Sequence, residues 1–386
     1  MKLFIKNLIR RNRQPKYSPL IGVYISKSAI LHNYEQFKKL SNKPVAPVLK
    51  SNAYGHGLIE VATIIEETKP PFIVIDSLFE AHALRNNGIK SKLFIIGYTR
   101  PSDISKAALQ NVSFAITSIE ALKEICEYKN HNISIHLKID TGMHRQGVLI
   151  NQVDECIAMI TSSKHISLQG ICSHLADADT DNSAHTESQI TAWNSLVKKF
   201  KSLSSSFPSL VHFHVSNSAG HAHEKKIDST VSRLGIGLYG LDSSDTIKKE
   251  NIILKPALTM STVISSVKTL KKNGLVGYNG TFEAPQDLTI ATIPMGYFEG
   301  IDRRLSSKGF VYIKNTPCPI IGRVSMNITT IDVSAVPNVS LNDNVDVISP
   351  DNTRQNSIVA IARLCQTIPY EIAVHIPSHL RRIVTE

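Results

Sequence analysis

Eight short apolar runs, separated by stretches of helical period, fill residues 45–237 and constrain the fold more than any other feature. The runs are VAPVLK (45–50), FIVID (72–76), LFIIG (93–97), FAIT (114–117), ISIHLKID (133–140), LQGICSH (168–174), VHFHVS (211–216) and TVSRLGIG (230–237). They are almost continuously apolar, as parallel strands covered on both faces should be. Between them, LIEVATIIEE and SIEALKEICEY carry apolar residues at helical spacing. SLFEAHALRNNG opens on Ser77 with Glu80 three places on, a capping box, and closes at Gly88. Eight strand–helix alternations over roughly 200 residues predict an α/β chain beginning with a TIM (β/α)8 barrel.

The texture changes after residue 250. ALTMSTVISSVKTL alternates with period two, and the short runs LTIATIPM, FVYI, TIDVS and VDVIS follow, interrupted late by the helical SIVAIARLC. The expected organisation is a basic tail (1–17), a barrel domain (18–245) and a mainly-β domain (246–386). The chain has 386 residues, 42% of them hydrophobic, so two sizeable cores are within reach. The net charge of +11 is scattered, apart from the tail, and no zinc-finger spacing or aromatic RNA-binding signature accompanies it, so no nucleic-acid partner is expected. No run approaches membrane-spanning length. Five cysteines without a CxxC pair suit reduced thiols in a cytoplasmic protein, and HFHV and HAH lack the partners a metal site needs.

A barrel builds its chemistry at the carboxyl ends of its strands. Those ends carry Lys50, Lys138 with Asp140, His174, Ser216–Asn217–Ser218 and Arg233. A lysine delivered to a barrel mouth is, when neutral, a nucleophile for carbonyls, the chemistry by which a protein takes up an aldehyde cofactor. Such a cofactor needs a phosphate cradle, and SNSAG (216–220) and RLGIG (233–237) offer small residues and accessible amides at the last two strands, where barrels hold phosphate. Glycine turns that bind no phosphate remain an equal reading of those residues alone.

VLKSNAYGHG (48–57) resembles the cofactor-lysine motif of the alanine racemases, the fold-type III pyridoxal-phosphate enzymes. The resemblance continues in order through HLKIDTGMHRQG, GICSHLADAD, SNSAG, SRLGIGLYG, VGYNGTF, IPMGYFEGIDRRLS and GRVSMNITTIDVS, from about residue 20 to the C-terminus. It implies pyridoxal 5'-phosphate as cofactor and a head-to-tail homodimer with shared active sites. By position, Lys50 would carry the cofactor and act as base on the D-face of the substrate. Tyr54, Ser218 and the amides of Gly235 and Ile236 would hold the phosphate. Arg233 would face the pyridine nitrogen, with His174 beside the cofactor and bonded to Arg233. Arg145 would meet the substrate carboxylate, braced by a carbamylated Lys138. Tyr278 would be the second base, on the L-face, donated by the other subunit together with the substrate-binding Met326 and Tyr297. A phenol is a weak base at neutral pH unless neighbours stabilise its anion.

Three departures from the family pattern stand out. Ser325-Met326-Asn327 stands where Cys-Met-Asp is usual, which removes a carboxylate at Asn327. A gapless count from YEI (370–372) puts Ser378 where a phosphate-bracing tyrosine is usual, which would enlarge the pocket and admit serine or other small amino acids. His144 replaces a glycine before Arg145. The expected activity is interconversion of L- and D-alanine for cell-wall precursors. The alternatives are a serine or broader-specificity racemase and, less favoured, a non-catalytic pyridoxal-phosphate-binding barrel.

Overall fold

The structure is a computed structural model and describes residues 19–107, 109–129, 132–180, 182–242 and 252–386. The basic tail and the junction expected at 245–246 lie outside the described residues. Two compact units result: Tyr24–Thr259 with Ile348–Glu386, and residues 19–23 with Met260–Val347.

The first unit contains all eight expected strands in the expected order: β1 (Val45–Pro47), β2 (Ile73–Ile75), β3 (Leu93–Ile95), β4 (Val112–Ile116), β5 (Ile133–Asp140), β6 (Ile166–Cys172), β7 (His212–His214) and β8 (Ser232–Leu234). Strands β2 to β7 pair in parallel in chain order, and β8 pairs in parallel with β1. Two seams close the ring. Leu49 N donates to the Val74 carbonyl at 2.7 Å, and Thr230 N to the Phe213 carbonyl at 2.9 Å. Several strands are shorter than their apolar runs. The first ends at Pro47, because Lys50 opens a turn rather than closing a ladder.

The helices between strands start where the sequence places them, with Ser77 and Ser118 capping Leu78–Asn86 and Ile119–Glu127. The capping box at Ser77 is only half formed. Ser77 Oγ accepts from Glu80 N, whereas the Glu80 carboxylate turns away and takes the amides of Asp76 (2.7 Å) and Asn52 (3.2 Å). A structural carboxylate thereby becomes a support for the lysine turn.

In the second unit, Ser266–Leu270, Leu288–Ile293 and Thr329–Asp332 form an antiparallel sheet, and the hairpin Leu275–Val276/Phe282–Glu283 carries Tyr278 at its tip. Val276, Ala284, Leu288, Ile290 and Ile321 form the apolar cluster beneath the hairpin. The period-two run after residue 250 is thus two strands, Leu258–Val263 and Ser266–Leu270.

Candidate active site at the barrel mouth

Lys50 begins a single left-handed turn. Ser51, Asn52, Ala53 and Tyr54 have φ of 58°, 56°, 52° and 51°. Each L-residue in that region costs roughly 1–2 kcal/mol, so four in succession persist only because neighbours impose them. Asn52 N donates to Glu80 Oε1 at 3.2 Å, and Asn52 Oδ1 accepts from Leu58 N at 2.9 Å. The Gly55 carbonyl accepts from Arg382 Nε and Nη2 at 3.1 and 2.8 Å. Gly55 must be glycine: its φ is 81°, and a Cβ there would fall 1.9 Å from the Ala373 oxygen. The turn brings Lys50 and Tyr54 to the wall of a cavity of about 690 Å³. Burial raises the Tyr54 pKa, so this phenol is a hydrogen-bond donor there.

Arg233, on β8, is buried and saturated at both terminal nitrogens. Nη1 donates to His214 Nδ1 (2.7 Å) and the His214 carbonyl (2.9 Å). Nη2 donates to the carbonyls of Ser173 (2.8 Å) and Val215 (3.0 Å) and to His174 Nδ1 (3.1 Å). Its Nε–H has no partner among the described residues, and the side chain lines the cavity. A guanidinium can only donate, so His174 and His214 both turn Nδ1 lone pairs to it and carry their protons on Nε2. Burial, reinforced by the Arg233 charge, holds both imidazoles well below their usual pKa, hence neutral.

Ser218 faces the same cavity. Its Oγ accepts the amides of Gly235 (3.1 Å) and Gly237 (3.2 Å), which leaves the hydroxyl hydrogen to be donated elsewhere. The Gly235 amide, expected at a phosphate, donates to this hydroxyl. A Cβ on Gly235 would come within 2.9 Å of Tyr54 Oη, so the glycine keeps the cradle open. Ile236 lines the cavity at the start of a 3-10 turn.

Lys138, on β5, is buried, and its Nζ donates to Gln146 Oε1 at 3.3 Å. Burial lowers its pKa, and the Arg233, Arg145 and Lys50 charges push the same way, against an opposing Cys172. Arg145 lines the cavity beside it. Immediately before it stands His144. It adopts φ 53°, the conformation that favours glycine, while its amide donates to Asp140 Oδ1 at 3.1 Å and its ring lies in solvent.

Ser378 is not among the residues lining the cavity; Tyr370, on the short helix Pro369–Val374, is, with its ring 5.9 Å from Tyr54.

Tyr278, Tyr297 and Met326 belong to the second unit and are 69%, 43% and 55% exposed. Tyr297 and Met326 share one loop pair, for Tyr297 N donates to the Ser325 carbonyl and Phe298 N to that of Met326, each at 3.0 Å. Asn327 Nδ2 donates to Glu299 Oε1 at 2.6 Å, and Glu299 Oε2 accepts Gly296 N at 2.8 Å. The family carboxylate lost at Asn327 is therefore complemented by a buried glutamate 28 positions earlier.

Comparison with known proteins identifies the family. The family description "Alanine racemase, N-terminal domain" matches residues 25–243, and "Alanine racemase, C-terminal domain" matches 257–384. The alanine racemase of Methanococcus maripaludis is 32% identical over 369 residues, covering 94% of this chain and 98% of the relative. That of Lactobacillus acidophilus is 33% identical, covering 96% and 99%. The alanine racemase structure of Clostridium difficile 630 superposes with a TM-score of 0.88 at 26% identity, covering 96% of this chain and 97% of that one. A histidine racemase from Leuconostoc mesenteroides gives 0.86 at 26% identity, covering 96% and 100%. With both domain descriptions spanning most of its length, the chain belongs to the alanine racemase family.

Proposed function

We propose that the chain interconverts L- and D-alanine with pyridoxal 5'-phosphate held in the mouth cavity. One observation carries the reading: a single cavity joins the Lys50 amine, an Arg233 Nε–H that no described protein group accepts, and a Ser218 hydroxyl left to donate. Those groups fit an aldehyde, a pyridine nitrogen that accepts, and a phosphate. When bound, the cofactor supplies an electron-withdrawing system that acidifies the Cα–H of an attached amino acid. Arg233 would donate to the ring nitrogen without protonating it, since a guanidinium does not yield its proton. Ser218, Tyr54 and the amides of Gly235 and Ile236 would hold the phosphate, and His174 holds Arg233. Arg145 would bind the substrate carboxylate.

Racemisation needs a base on each face. Lys50 Nζ takes and returns the α-proton on the D-face, and Tyr278 Oη does so on the L-face. Tyr278, Tyr297 and Met326 come from the partner subunit of a head-to-tail homodimer, a reading supported by their exposure in the protomer. Lys138 is carbamylated: its buried amine adds to carbon dioxide, losing a proton, and the resulting anion pairs with Arg145. The five free cysteines support a cytoplasmic location, where D-alanine would supply cell-wall synthesis. Among the described residues no helix is long and apolar enough to cross a membrane.

The curated relatives it matches are named alanine racemases, which supports alanine as the preferred substrate. Polarimetry of purified protein with L-alanine, L-serine and L-histidine, with and without added pyridoxal phosphate, tests this. Cofactor-dependent loss of rotation, fastest with L-alanine, is expected. A faster rate with L-serine or L-histidine, or no racemisation, overturns it.

A further inference from the structure

The barrel has a second cavity, of about 510 Å³, at the N-terminal ends of its strands, where Leu93, Val112, Ile133 and His212 begin β3, β4, β5 and β7. Its chemistry is unlike that of a barrel core, which branched aliphatic residues normally fill. His136 forms its floor, Ser134, Gln169 and His212 its wall, and Lys92 and Lys106 are exposed on its rim. Among the described residues no carboxylate lines it.

The floor is built. Gly170 makes room for His136, since a Cβ there would stand 2.5 Å from His136 Nδ1. Phe94 stacks on the imidazole at 4.3 Å. His136 is 1% exposed, and its Nδ1 lies 2.8 Å from His214 Nε2. Because Arg233 can only donate, His214 accepts at Nδ1 and holds its proton on Nε2. His214 therefore donates to His136 Nδ1, and His136 in turn must carry its proton on Nε2. That Nε2–H has no hydrogen-bond partner among the described residues. A chain of donors thus starts at the active-site guanidinium and ends at His136, which lines the foot cavity. Two rim ammoniums add positive potential.

We propose that this foot cavity is a binding site for a small oxyanion, phosphate or carboxylate, gripped by His136 Nε2–H and by Lys92 and Lys106. The site is separate from the cofactor cavity and shares only His136's link through His214 to Arg233.

The test uses the holoenzyme, so that the mouth cavity is filled. Crystals soaked in selenate, a phosphate-sized oxyanion with an anomalous signal, should show a selenium peak at the foot cavity beside His136. Calorimetric titration with inorganic phosphate, and separately with malonate, identifies which oxyanion class is preferred. The double variant Lys92→Ala/Lys106→Ala, altered only at exposed side chains, should bind the preferred anion about tenfold more weakly while cofactor absorbance is unchanged. A selenium peak confined to the barrel mouth, no heat with either anion, or equal affinity in the double variant overturns the proposal. None of these readouts depends on turnover, so this inference and the racemase reading fail independently.

Discussion

Replacing Asn327 by aspartate, the residue usual in the family, should destabilise this protein in a pH-dependent way. Asn327 Nδ2 lies 2.6 Å from Glu299 Oε1, and Glu299 is 8% exposed with its other oxygen on the Gly296 amide. An aspartate there would set two carboxylates against each other. Two unit charges at 2.6 Å repel by about 6 kcal/mol at an effective dielectric of 20. Protonating one of the pair is the cheaper escape: from an ordinary value near 3.9, holding a proton at pH 7 costs about 4 kcal/mol at 1.36 kcal/mol per unit. The upper limit of the loss at pH 7 is thus about 4 kcal/mol. The sign follows from linkage. The pair's folded pKa is raised, so the folded state binds the extra proton more tightly. Asn327→Asp should therefore match the parent near pH 4 and fall behind by up to about 1.4 kcal/mol per unit as pH rises. Urea unfolding of parent and variant at pH 4.5, 5.5, 6.5 and 7.5 reads this as a widening gap in midpoint. A gap that is absent, or constant across that range, refutes the pairing.

Three further outcomes follow from the site. Tyr278→Phe should slow α-proton exchange from L-alanine by about 10²–10⁴-fold with cofactor loading retained; equal exchange rates measured by deuterium incorporation contradict the two-base reading. Ser218→Ala removes the acceptor of the Gly235 and Gly237 amides and a donor to the phosphate, so equilibrium dialysis should show cofactor affinity reduced by about 1.5–3 kcal/mol; unchanged affinity counts against the cradle. Arg382→Met frees the Gly55 carbonyl and those of Ile376, Pro377 and Leu380. It should cost about 1.5–3 kcal/mol in unfolding free energy and also weaken cofactor attachment, with partial rescue by Arg382→Lys; a stability loss with full attachment would show that the clamp does not position Lys50.

Much of the barrel was legible because its signal is local. A parallel strand covered on both faces is apolar throughout, and a lysine or histidine ending such a run stands out, as Lys50, Lys138 and His174 did. What escaped was the chemistry of distant partners. Nothing in SNAY signals four left-handed residues, because the turn is imposed by Glu80 and by Arg382 and Ala373, the last two more than 300 positions away. The pairing of Asn327 with Glu299 depends on two loops meeting. HFHV lacked credible metal partners in the sequence; in the structure His214 is half of a donor chain through the barrel.

The central claim is that Lys50 anchors the cofactor aldehyde, and borohydride reduction of the holoenzyme followed by peptide mapping tests it most directly. Reduction should leave a stable pyridoxyl adduct on the peptide containing Lys50, and none in Lys50→Ala. An adduct on another lysine in the parent protein, or no adduct in a protein saturated with pyridoxal phosphate, would contradict the account.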